Sequence, residues 1–128
     1  MTAGDHGFTE RSIGMLTLDK LKEYGADTED ALARCMGKED FYLMLVGKAV
    51  EDSNFKSLRD AIETKDYDGA FSAAHALKGI VSNLSLTPLS KPVIEITELL
   101  RSRTDTDYTE LLADIDEQKS RLEELMSG

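Results

Sequence analysis

Residues 66–84 read DYDGAFSAAHALKGIVSNL, and their spacing decides the fold class. Wound at 3.6 residues per turn, Ala70, Ala73, Ala74, Leu77, Val81 and Leu84 share one face, with Ile80 on its flank. Ser72, His75, Gly79 and Ser82 lie on the opposite face, bordered by Ala76 and Asn83. Asp66 stands where an N-cap belongs. The stretch therefore reads as an amphipathic helix with His75 near its middle, turned away from the core.

The same period recurs on both sides. Thr17, Leu18, Leu21 and Gly25 give a short helix with a cap and a glycine stop, and Asp27 opens a second one whose stripe is Ala31, Leu32, Cys35 and Met36 before Gly37. Phe41, Leu45, Val46, Ala49 and Val50, then Phe55, Leu58, Ala61 and Ile62, predict two helices or one bent helix, with Ser53 as the cap of the second half. Thr87 and Pro88 supply a cap and a first-turn proline for a helix carrying Leu89, Val93, Ile96 and Leu100. Pro92, four residues after Pro88, predicts a kink there or a helix restarting at Ser90. Residues 104–107 form a polar joint before a last helix with Tyr108, Leu111, Leu112, Ile115, Leu122 and Leu125. Strand alternation and hairpin turns are nearly absent. The expected fold is all-α, an antiparallel four-helix bundle with one or two short N-terminal covering helices. Residues 17–128 form that domain, and residues 1–16, with Gly4, Gly7 and Gly14, are expected as a flexible arm.

Composition agrees with one domain. The chain has 128 residues, 41% hydrophobic and 31% charged, which is too apolar for disorder and too polar for a membrane protein. A formal charge of -10 sets repulsion against nucleic acid phosphates and anionic membranes. Neither is an expected partner. The lone Cys35 cannot form an internal disulfide, and no Cys and His spacing resembles a zinc site. Asp5, His6, Glu10 and Arg11 interrupt the N-terminal residues, and no run nears the roughly 18 apolar residues of a spanning helix. A cytoplasmic, reducing setting and a monomer are expected.

The chemistry converges on His75. Neutral imidazole is a nucleophile able to carry a covalent phosphoryl group. Glycine inside a helix costs about 1 kcal/mol relative to alanine, so Gly79, one turn after His75, points to close approach by a partner backbone. Lys78 can offer a cation to an anionic group on the ring. Phe71 lies about 40° from His75 on the helical wheel, at the core edge, where partial exposure lets it serve a binding face. By position alone, a surface histidine is more often just solvated. A di-iron bundle is excluded because its Glu-x-x-His would need Glu where Ser72 stands, and His6 is isolated.

The run Ala74-His75-Ala76-Leu77-Lys78-Gly79, continuing through Asn83-Leu84 and Leu89, resembles the signature of histidine-containing phosphotransfer (HPt) domains, His-x-Leu-Lys-Gly followed by Asn-Leu-Gly and a leucine. The similarity covers roughly residues 38–126. It implies a helical bundle that accepts a phosphoryl group on His75 from a receiver-domain aspartate and passes it to another. Lys78 is then an electrostatic helper, Gly79 leaves room for the receiver, and Phe71, Ser72, Ala76 and Ser82 join Gly79 in the docking face. Asn83 and Leu84 shape the helix end.

The implied partners are a response-regulator receiver domain and a hybrid sensor histidine kinase. No cofactor is implied for this chain, and Mg²⁺ is expected on the receiver. With no Gly-rich phosphate loop, the phosphoryl group must come from a partner. One departure stands out: Ser85 replaces the glycine after Asn-Leu, a residue less tolerant of positive φ. Two competing readings are a non-catalytic module that docks receivers and a purely structural bundle subunit.

Overall fold

The computed structural model describes residues 16–127, and the described residues form seven helices and no strand. They are α1 (Leu18–Tyr24), α2 (Thr28–Arg34), α3 (Glu39–Val50), α4 (Asn54–Glu63), α5 (Tyr67–Asn83), α6 (Thr87–Arg101) and α7 (Thr109–Ser127). Residues 1–15 of the expected arm lie outside the described residues. Leu16, also assigned to that arm, is buried in the core at 2% exposure.

Side-chain caps open α1 and α2. Thr17 accepts from Lys20 N at 3.1 Å and Asp27 from Asp30 N at 3.1 Å, each satisfying an amide that the first turn leaves open. α1 ends at Gly25, whose φ is 117°. A Cβ built there would lie 2.8 Å from Pro88 Cγ, so both the backbone angle and the close approach of α6 require glycine.

Two expected caps differ. Ser53 occupies the cap position of α4 without a side-chain bond, and Asp52 Oδ1 instead accepts from Asn54 N at 2.8 Å. Thr87 is the first residue of α6, and the cap position belongs to Leu86, which has no side chain to bond with. Met36 leaves the predicted α2 stripe because the helix ends at Arg34. Its φ of 58° turns the side chain outward to 82% exposure.

α3 and α4 run as two helices separated by residues 51–53. α4, α5, α6 and α7 pack in succession through short connections, while α1 and α3 contact α7. Leu58, Leu77, Leu89, Ile96, Leu100 and Leu122 are essentially fully buried between them. Each such side chain contributes roughly 1.5–3 kcal/mol of transfer free energy. The fold is an all-α helical bundle. α1 covers one side: Leu21 is buried, the Tyr24 hydroxyl donates to Gln118 O at 3.3 Å and Lys20 Nζ to Leu125 O at 3.3 Å.

α6 does not restart at Ser90. It runs from Thr87 through Pro92 to Arg101, with Ser90 Oγ donating to Thr87 O at 3.2 Å. Pro92 removes only the bond to the Pro88 carbonyl, and buried Leu89, Val93 and Ile96 hold the helix against the bundle on either side. No helix among the described residues is long and apolar enough to cross a membrane.

Candidate functional site

α5 is held firmly at both ends. Asp66 Oδ1 accepts from Gly69 N at 3.0 Å. A Cβ on Gly69 would come within 2.5 Å of Asp66 Oδ2, so the glycine makes room for its own capping carboxylate.

At the C-terminus Ser85 takes φ 55°, the left-handed conformation that the family pattern fills with glycine. Leu86 N bonds back to Val81 O at 3.1 Å and Ser85 N to Ser82 O at 3.0 Å. The cost of a non-glycine residue here is offset by Ser85 Oγ donating to Asp30 Oδ2 at 2.7 Å and Ser85 O accepting from Asp27 N at 3.0 Å. The buried Tyr42 hydroxyl donates to Leu84 O at 2.9 Å, and Arg34 donates to Ser82 O at 3.2 Å and to Asn83 Oδ1 at 3.5 Å. Burial pushes the Tyr42 phenol up to about 12, with nearby Cys35 and Asp27 adding to the rise. The end of α5 is thus tied to α2 and α3, and Asn83 and Leu84 are parts of that tie.

Between these ends Ala70, Ala73, Ala74, Leu77 and Val81 face the core. Ser72, His75 and Gly79 are exposed, while Phe71, Ala76, Lys78 and Ser82 are half-buried along the edges. No atom lies within 4 Å of a Cβ built on Gly79, so packing inside this chain does not explain the glycine. An open lane therefore runs along the helix over His75 from Ser72 to Gly79.

The α6 side of this lane is charged, and sequence reasoning did not single out its members. The His75 ring stacks on Phe71, with centroids 5.6 Å apart and planes at 27°. The guanidinium groups of Arg101 and Arg103 lie 5.2 and 5.0 Å from the Phe71 centroid. Arg103 also pairs with Asp68 at 2.6 Å. Lys78 Nζ reaches Glu98 Oε2 at 3.6 Å, and Arg101 meets the same carboxylate through Nε at 3.2 Å and a terminal nitrogen at 3.3 Å. Hydrogen bonding from Arg101, its charge and the Lys78 ammonium hold the Glu98 carboxyl below the usual carboxylate range. The signal for the two arginines is the Arg-Ser-Arg run at 101–103, which becomes meaningful only once α6 is placed beside the histidine face of α5.

The arrangement presents an exposed imidazole ring near the middle of α5, with three cations gathered along one edge in a chain of charge -10. Such a face suits covalent attachment of an anionic group by a docked partner. Among the described residues no group of three or more His, Cys, Asp or Glu is placed to hold a metal ion.

Comparison with protein families matches the Hpt domain over residues 49–127, more than half of the chain, from the end of α3 through α7. Comparisons with curated proteins and with solved structures give no match. The matched span begins later than the resemblance read from the sequence at about residue 38, leaving α1, α2 and most of α3 outside it. The chain belongs to the Hpt domain family, whose members carry phosphoryl groups in two-component signalling and interact with receiver domains and kinases.

Proposed function

We propose that this protein is a phosphorelay intermediate in which His75 accepts a phosphoryl group from a receiver-domain aspartate and passes it to a second receiver. The observation that carries the reading is the exposed His75 ring at the middle of a doubly anchored helix, with open space above Gly79 one turn away. Family membership supports the class of chemistry.

In this reading a neutral imidazole nitrogen of His75 attacks the phosphorus of the acyl phosphate in line. The nitrogen–phosphorus bond forms as the phosphorus–oxygen bond to the aspartate breaks, and the aspartate leaves as carboxylate. Reversal of these steps on a second receiver completes the relay. Lys78 supports the charge on the transferring group, and Phe71, Ser72, Ala76, Gly79 and Ser82 form the face on which the receiver docks. The receiver brings Mg²⁺, this chain brings no cofactor of its own, and a hybrid sensor kinase is the upstream source. The protein acts in the cytoplasm as a monomer.

The test loads the protein with phosphoramidate, adds a panel of receivers with Mg²⁺, and follows the intact mass of both proteins. Loss of one phosphoryl group from this protein and its gain by a receiver is the expected result. A receiver that binds but leaves the phosphoryl group in place favours a non-catalytic docking module instead.

A further inference from the structure

Glu98 is the anion among the cations beside His75. Its carboxylate accepts from Arg101 at 3.2 and 3.3 Å and meets Lys78 at 3.6 Å. Both cations lie on the α6 side of the histidine face. Lys78 follows it by three residues on α5, which places the two side chains on neighbouring positions of the helix surface. Arg101 lies over the Phe71 ring on which His75 stacks. One carboxylate therefore serves two cations at the edge of the site.

A phosphoryl group on His75 would bring more negative charge and three acceptor oxygens to the same place. It would compete directly with Glu98. The contest is favourable because Glu98, Arg101 and Lys78 are all partly solvent-exposed, and water and salt weaken such pairs. Arg103 is committed differently, to Asp68 and to the carbonyls of Leu100 and Arg101. Lys78 and Arg101 are thus the cations whose anionic partner is a single exchangeable carboxylate.

We propose that Glu98 is a resident counter-anion, holding Lys78 and Arg101 in the unphosphorylated protein until the phosphoryl group on His75 takes both cations over. This rests on the reading of His75 as the phosphoryl acceptor. Glu98 is a positioning residue that acts through Lys78 and Arg101, and its charge sets how favourable the phosphorylated state is.

The experiment brings the full chain to a steady state at a fixed ratio of phosphoramidate to ammonium. In that exchange the nitrogen–phosphorus bond of phosphoramidate breaks, the bond to His75 forms, and ammonia leaves. Intact mass gives the ratio of phosphorylated to free protein, with His75→Gln as the control for site. Glu98→Gln is expected to raise that ratio about threefold, the scale set by the worth of an exposed ion pair. Arg101→Ala is expected to lower it and to shrink the gain from Glu98→Gln. The Arg101 Nε–H NMR signal should also move on phosphorylation, and from a different starting position in Glu98→Gln, where Arg101 has no carboxylate to leave, a difference that a merely structural Glu98 would not produce. An unchanged ratio in Glu98→Gln, or an Arg101 signal that stays fixed while His75 is labelled, overturns this inference alone. Absence of label on His75 overturns the phosphotransfer reading and this inference together.

Discussion

The imidazole of His75 stacks on the ring of Phe71, one turn earlier on α5, at 5.6 Å between centroids. Phe71 is in turn covered by the guanidinium groups of Arg101 and Arg103. An apolar ring thus stacks on the imidazole and links it to the cations at the end of α6 and just beyond it. Replacing Phe71 by Ala removes the stack and both cation–π contacts. Transfer from phosphorylated receiver should slow by about tenfold, the scale expected when positioning is loosened. Unfolding stability should fall by about 1–2 kcal/mol, in line with a half-buried aromatic contact. Stopped-flow transfer and urea unfolding check the two parts, and unchanged transfer would remove Phe71 from the site.

Gly79 separates stability from docking. A Cβ at this position meets nothing within 4 Å, and the helix interior favours alanine over glycine. Gly79→Ala should therefore stabilise the protein by about 0.5–1 kcal/mol in urea unfolding. Gly79→Gln should fold normally yet bind a receiver at least tenfold more weakly, because its longer side chain fills the open lane. Isothermal titration calorimetry reads the affinity, and full binding by Gly79→Gln would place the docked partner elsewhere.

Tyr42 links the end of α5 to alkaline stability. Its folded phenol is raised to about 12, above the ordinary value of 10.0. The neutral phenol is favoured by folding, so this contribution is complete below pH 10 and is lost as pH rises through about 12. Tyr42→Phe leaves the Leu84 carbonyl without its donor and should cost about 1 kcal/mol at neutral pH. The stability difference between wild type and Tyr42→Phe should narrow between pH 10 and 12. Denaturation series across that range check the slope, and a constant difference would contradict the assignment.

The parts of this structure that the sequence made legible are those fixed within one helix. The alanines of α5, the Asp66 cap and the exposure of His75 follow from a single periodicity and a local side-chain bond. Ser53 holds the expected cap position but leaves the side-chain bond to Asp52, and Thr87 falls one residue inside α6, because the path of the chain decides which oxygen meets the first amides. Met36 left its stripe when a left-handed residue ended α2. Glu98, Arg101 and Arg103 escaped notice for a different reason. Their closeness to His75 depends on how α6 is rotated against α5, which buried Leu89, Val93, Ile96 and Leu100 determine. Ser85 lies between these cases: the left-handed turn was foreseeable, but the Asp30 carboxylate that receives its hydroxyl comes from a distant helix.

Phosphoryl acceptance by His75 is tested most directly by the ³¹P NMR spectrum of the protein after incubation with phosphoramidate, compared with that of His75→Gln. One phosphohistidine signal is expected in the wild-type protein, with peptide mapping placing the phosphoryl group on His75, and no such signal in the variant. A wild-type spectrum without it, or an equal signal in His75→Gln, would show that His75 is not the phosphoryl acceptor.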